Sequence, residues 1–310
     1  MRLPANHMNA EDMDAGRVRV VGWIGLGIMG RPMAEHLRRA GLEVTAYNRG
    51  AARRDAFARA GGKVAASVRE TADGADVLVT MVSDTRDVEE VLFGADGAAD
   101  ALRRGAIAVD MSTISPRATR EIAGRLRNRG IEALDAPVSG GEAGAIAATL
   151  SIMVGGDAAV FERCTPLFAA LGKRATRMGP NGSGQATKLV NQIAVLGNLL
   201  ATCEALVLAR AAGLELARVI DAVGAGAGAS WQLTQLGPKM IAEDFAPGFP
   251  VRLARKDLRL ILEAAEELQV PLPLVALVQQ LFSALAAVGE GDSGTQALIA
   301  VLERLAKKPQ

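Results

Sequence analysis

Aromatic and redox-active side chains are scarce in this sequence. Only 3% of its 310 residues are Phe, Trp or Tyr, with a single tyrosine, two histidines and two cysteines. Cys164 and Cys203 stand alone in apolar helical patterns without metal-ligand spacing. That argues against a disulfide framework or a cysteine metal cluster, and both are expected as reduced core residues of a cytoplasmic protein. Net charge is also missing: 35 basic against 34 acidic side chains leave +1, too little for a field that gathers nucleic acid or a lipid surface. The first seventeen residues lack the apolar core of a secretion signal and read as a flexible extension. The longest apolar run, residues 189–209, is broken by Asn191, Gln192, Asn198 and Glu204 and has no flanking aromatic belt. Insertion into lipid would strand those groups, so a membrane span is excluded. No Asp/Glu/His cluster suggests a metal.

What the chain does contain is apolar surface: 50% hydrophobic residues against 22% charged, over a length that suits two domains. Strand-like and helix-like segments alternate up to about residue 180. "RVRVVGWIG", "LEVTAYN", "ADVLVTMV", "GAIAVDMS" and "IEALDAPV" read as strands. "RPMAEHLRRAG", "TRDVEEVLFG" and segments through Phe57 and from Pro116 read as helices. "LSIMVGG" and "KRATRMG" flank a further helix from Ala158. The alternation implies a parallel sheet covered on both faces. Beyond "PNGSG" the strand signals stop, and helices are expected over 185–212, 215–224, 231–243, 254–268, 272–288 and 294–307. The expected organisation is an extension (1–17), an α/β domain (18–181) and an all-helical domain (182–310).

The first strand runs into "GLGIMG", spanning Gly25, Leu26, Gly27, Ile28, Met29 and Gly30. Its context, with a helix after it and a second strand about 20 residues on, is that of a dinucleotide-binding loop. The first glycine permits the turn, the second admits the pyrophosphate, and the third lets helix and strand pack closely. An anion then meets free N–H groups at the helix N-terminus. The second strand ends in Asn48 and Arg49, with Arg53 and Arg54 beyond, where an NAD site usually carries an acid. Arg49, aided by Arg53 or Arg54, suits a 2′-phosphate, so NADP(H) is favoured over NAD(H).

"GQATKLVNQIAVLGN" sets polar residues into an apolar helix. Lys188, Asn191, Gln192, Asn198 and Thr202 fall within an arc of about 120° when the wheel advances about 100° per residue. The stripe is either a solvated face from which Lys188 snorkels, or the wall of a cleft between domains, opposite a nicotinamide. In the second case Lys188 exchanges a proton with substrate, and Asn191 and Gln192 hold both in register.

Together, "GLGIMGRPMA", "DAPVSGGEAGA", "GSGQATKLVNQ" and "KDLRL" resemble, in family order, the β-hydroxyacid dehydrogenases. These include 3-hydroxyisobutyrate dehydrogenase and tartronate semialdehyde (2-hydroxy-3-oxopropionate) reductase. The resemblance runs from Val20 to about residue 305. It implies a Rossmann domain followed by an all-α domain like the C-terminal part of 6-phosphogluconate dehydrogenase, and an NADP(H)-dependent enzyme. Lys188 matches the family's catalytic lysine, and Asn191 and Gln192 its oriented amides. Ser139, Gly140 and Gly141 match a carboxylate-binding turn, whose consecutive N–H groups make a small anion nest. The resemblance also puts Thr113 by the nicotinamide ribose or substrate, Met81, Val82 and Ser83 beside the cofactor, and Lys256 over nicotinamide and substrate. Asp257 is expected to hold the Lys256 helix. Trp231 is a candidate border of the substrate pocket, with core packing as its ordinary alternative, and His36 is expected to be structural. The implied substrate is a small carboxylate and the implied assembly a homodimer or homotetramer. The alternatives are an imine reductase, in which the lysine is usually aspartate or tyrosine, and a non-catalytic binding or oligomerisation module on the same fold.

Overall fold

The structure is a computed structural model that describes residues 18–306, so the expected extension lies outside the described residues. Contact density divides the chain into two compact units, one through Lys188 and one from Leu189.

The first unit opens with β1 (Val20–Ile24), α1 (Gly30–Arg39), β2 (Glu43–Tyr47), α2 (Ala51–Arg59), β3 (Lys63–Val64), α3 (Val68–Ala72) and β4 (Val77–Thr80). It continues through α4 (Thr85–Phe93), β5 (Ile107–Asp110), α5 (Pro116–Arg127), β6 (Glu132–Asp135), β7 (Val138–Ser139), α6 (Gly141–Ile146), β8 (Leu150–Gly156), α7 (Ala158–Leu171) and β9 (Gly172–Gly179). The sheet order is β3-β2-β1-β4-β5-β6-β8-β7, with β9 on β8. Strands β1 to β6 pair in parallel, in the order of the doubly wound dinucleotide fold. The sheet is not parallel throughout: β8 pairs antiparallel with β6 and with β7. Strands β6 and β7 share one continuous register against β8, so "IEALDAPV" runs in one direction as expected, and the chain reverses only after Ser139, through α6.

Burial on both faces follows from parity along the strands. Val21 and Trp23, Val77 and Val79, and Ile107 and Val109 enter one apolar cluster with Phe57 and Phe168. Ile24, Leu78 and Ala108 enter the opposite one with Leu92 and Ile122. Side chains mark several helix starts. Asp84 Oδ1 accepts the Thr85 N–H, Ser115 caps α5 ahead of Pro116, and Asp157 Oδ1 takes the Ala159 and Val160 N–H groups.

The 29-residue α8 (Ser183–Ala211) begins in the first unit and continues into the second. The second unit adds α9 (Leu216–Gly224), a π-helical segment (Gln232–Leu236), α10 (Gly237–Ile241), α11 (Val251–Glu267), α12 (Pro273–Ala287) and α13 (Leu298–Leu305). Leu196, Leu199, Cys203, Leu258, Ile261, Phe282 and Leu298 are among the residues of its core. Cys164 and Cys203 are buried and free, and burial pushes both thiols up to about 12, which makes them unreactive.

The expectation of a largely buried α8 needs correction, and so does the reading of its polar stripe as a solvated face. Lys188, Gln192 and Thr202 are buried, whereas Val190 and Leu208 are 66% and 71% exposed. Asn198 is exposed as well. The side of α8 away from Lys188 is the open one, and it is largely apolar, with Asn198 and Glu204 among Val190, Ala194, Ala201, Ala205 and Leu208. Although α8 is long and apolar enough to cross a membrane, its buried lysine and glutamine make it a core helix of this fold.

Candidate active site

The glycine loop lies between the carboxyl ends of β1 and β4. Gly25 has φ +108°, and a Cβ there would come within 2.1 Å of the Met81 carbonyl oxygen. A Cβ on Gly30 would come within 2.0 Å of the Gly25 carbonyl oxygen. That same carbonyl accepts the buried Trp23 indole N–H at 2.8 Å, which fixes the loop from below. Gly27 is different: a Cβ there would meet only the Arg53 guanidinium, at 3.8 Å. Two glycines thus serve packing and the middle one leaves an open cradle. No side chain caps the N-terminus of α1 beside it. The arrangement fits a dinucleotide pyrophosphate.

Asn48 Oδ1 accepts the Leu26 N–H at 3.0 Å, so this candidate cofactor residue props the loop as well. Arg54 is taken up locally, donating to the Asn48 carbonyl and lying over Tyr47, while Arg49 and Arg53 are exposed. Met81 donates its N–H to Ile24, and Val82 donates its own to Ser112 Oγ, which ties the loops after β4 and β5 together. Ser83 is exposed; Ile28 and Met29 flank the cradle, exposed and half-buried. Thr113, half-buried, follows Ser112 directly.

Ser139 closes β7, where it registers with Ser151, and Gly140 and Gly141 follow with φ +138° and +62° before α6. These φ values make a glycine turn that other residues rarely adopt, and a turn is one of the backbone forms in which successive N–H groups can receive an anion. His36 on α1 donates to the Ile146 carbonyl at the end of α6, a structural link between the helices that follow the two glycine turns.

Lys188 is 7% exposed, so it does not snorkel from a solvated face. In the second unit Asn191 donates its amide to Gln192 Oε1 at 2.8 Å, and Gln192 donates to the buried Asp257 carboxylate. Asp257 also pairs with Lys256 Nζ at 2.8 Å. One acid therefore orders both amides and Lys256, a larger role than holding a helix. Trp231 is 55% exposed, which removes core packing as its role; it opens the helix that passes into the π-helical segment.

Sequence reasoning missed a second assembly, in the first unit. Asp110 and Asp135 end β5 and β6 in register. Burial pushes Asp110 up to about 6, against hydrogen bonds from Ser112 and Thr80, and raises Asp135 against N–H donors at the start of α8. Gly182 and Gln185 give their N–H groups to Asp135 at 2.8 and 2.9 Å. A carboxylate ending an otherwise apolar strand was the available signal.

Residues 20–179 match the NAD-binding domain of 6-phosphogluconate dehydrogenase, and residues 182–302 the NAD-binding domain of NADP-dependent 3-hydroxyisobutyrate dehydrogenase. The chain belongs to the β-hydroxyacid dehydrogenase family. It is 46% identical to the 2-hydroxy-3-oxopropionate reductase of Escherichia coli K12 over 92% of this chain and 98% of that one. The crystal structure of a 3-hydroxyisobutyrate dehydrogenase from Salmonella typhimurium superposes with a TM-score of 0.84 at 32% identity, covering 91% of this chain and 99% of that one. The Mycobacterium tuberculosis 3-hydroxyisobutyrate dehydrogenase solved with L-serine gives the same score at 31% identity, covering 92% and 99%. The chain is therefore an oxidoreductase with a nicotinamide dinucleotide site.

Proposed function

We propose that the chain interconverts a small β-hydroxy acid and its semialdehyde or oxo acid, with NADP(H) as the redox partner and Lys188 as the general acid and base. The observation that carries this is the burial of Lys188 on an apolar helix whose next turn bears the ordered amides Asn191 and Gln192. Bound NADPH supplies the hydride that reduces the carbonyl carbon. The Ser139–Gly140–Gly141 turn binds the carboxylate and sets which carbon is presented, and Thr113, Lys256 and Trp231 border the substrate. As charge gathers on the carbonyl oxygen, the Lys188 ammonium gives it a proton, leaving a neutral amine and the hydroxy acid. In the reverse direction neutral Lys188 takes the hydroxyl proton. Such proton transfer contributes roughly 10²–10⁴-fold, and positioning contributes further.

Preference for NADP(H) is supported by Asn48 in place of an acid at the end of β2 and by the exposed Arg49 and Arg53. The same reading has the protein working as a homodimer or homotetramer, supported by Val190, Leu208, Leu274 and Leu277, all exposed on α8 and α12. A panel of tartronate semialdehyde, succinic semialdehyde, methylmalonate semialdehyde and glyoxylate, each with NADPH and NADH, tests the proposal. Turnover of at least one acid, faster with NADPH, is expected. Failure of the whole panel alongside reduction of a cyclic imine would contradict it.

A further inference from the structure

Gln185 is fully buried three residues before Lys188, and every polar atom of its side chain is committed. Its Oε1 accepts the Ile114 N–H at 3.1 Å. Its Nε2 donates to the Ser112 carbonyl at 2.8 Å and reaches Asp110 Oδ2 at 3.4 Å. One side chain thus grips the backbone on both sides of Thr113. Ser112 is held further, its N–H given to Asp110 Oδ1 at 3.1 Å and its Oγ accepting from Val82. Asp110 also receives the Thr80 hydroxyl at 2.8 Å. The groups facing Asp110 are therefore Thr80 from β4, Asp135 from β6, Ser112 from its own loop, Gln185 from α8 and, across a cavity of about 20 Å³, Thr119 from α5; Asp135 is the only charged one among them. Residues three apart on a helix share a face, so whatever fixes Gln185 fixes the turn that carries Lys188.

We propose that Gln185, oriented by Asp110, is a positioning residue that locks Lys188 and Thr113 into one register. The inference rests on the reading of Lys188 as the acid and base. The orientation of Gln185 is forced: its oxygen must face an N–H, and its amide must face a carbonyl and a carboxylate. An apolar residue of the same length keeps the packing and loses the grip. A displacement of about 1 Å at Lys188 costs up to 10²-fold in rate. A protonated glutamate reproduces the pattern, because its O–H donates where the amide did and its carbonyl accepts from Ile114. An ionised glutamate presents acceptors to the Ser112 carbonyl and to Asp110, and the grip fails.

The test compares Gln185→Met and Gln185→Glu with the full-length wild type and with Lys188→Ala. Steady-state kinetics are measured with NADPH and the best acid substrate, and NADPH affinity by fluorescence titration. Gln185→Met is expected to lose about tenfold or more in kcat while NADPH affinity stays within about threefold. For Gln185→Glu, kcat relative to wild type is expected to fall as pH rises from about 5.5 to about 9. If Lys188→Ala loses turnover while Gln185→Met keeps wild-type kcat, or if the Gln185→Glu ratio is flat with pH, the positioning role is wrong and the reading of Lys188 stands. If Lys188→Ala keeps its turnover, that reading falls and this inference with it.

Discussion

Gln192 on α8 donates its side-chain amide to Asp257 on α11, sixty-five residues further along the chain, and both groups are buried. Because Asp257 also holds Lys256, a single carboxylate sets the positions of residues expected at the substrate from two helices. Removing it takes one buried carboxylate away from both the Gln192 amide and the Lys256 ammonium.

Asp257→Ala is accordingly expected to lower stability by about 3 kcal/mol, the usual scale for orphaning a buried charged partner, and to reduce kcat beyond that. Asp257→Asn keeps the shape and an acceptor for Gln192 but not the charge facing Lys256, and is expected to fall between alanine and wild type. Thermal unfolding together with kcat measured well below the transition separates the two effects. Equal stability of all three proteins would contradict the assignment.

The glycines of the cofactor loop are expected to part company on substitution. Gly25→Ala forces a side chain onto a positive φ and against the Met81 carbonyl, and Gly30→Ala meets the Gly25 carbonyl, so both should unfold or fail to accumulate. Gly27→Ala meets no such wall. It should retain the wild-type melting temperature and weaken NADPH binding by about tenfold or more by filling the cradle. Calorimetry with an NADPH titration distinguishes the outcomes. Unchanged NADPH affinity in a folded Gly27→Ala would remove the pyrophosphate from that loop.

Asp110 gives a pH dependence of a definite sign. Burial raises its carboxyl from the ordinary 3.8 to about 6 in the folded chain. Between those values the native state binds the proton more tightly than the unfolded chain does. This group's contribution therefore falls as pH rises from about 4 to about 6, by about 3 kcal/mol, and is level above. The denaturation free energy of wild type, taken relative to Asp110→Asn, should drop by that order across the window and stay flat from about pH 7 upward. An increase with pH would contradict a destabilising ionised Asp110. At neutral pH the fold carries that cost, consistent with an anion retained because it orders Ser112 and Gln185 rather than for stability.

Much of this was legible in the sequence because it depends on local pattern. The glycine loop, the strands flanking it and the helices from residue 183 onward follow from apolar periodicity and breakers; that Met81 and Asn48 pack against the loop itself is seen only in the structure. What escaped depends on partners distant in sequence. Asp110, Asp135 and Gln185 meet only once β5 and β6 lie in register beneath the start of α8, and nothing in the local pattern around Gln185 shows a buried amide. The antiparallel return of β8 along β6 and β7 is made through the short α6 rather than a full crossover, which alternation alone did not reveal. The exposed apolar side of α8 was masked because hydropathy counts leucine and valine as buried wherever they stand.

Lys188→Ala tests the central claim most directly. It should be made in the full chain and assayed with NADPH and the best semialdehyde acid of the panel. The account predicts unchanged folding, NADPH affinity within about threefold of wild type, and kcat lower by roughly 10²–10⁴-fold. A folded Lys188→Ala that binds NADPH and turns over at the wild-type rate would contradict it.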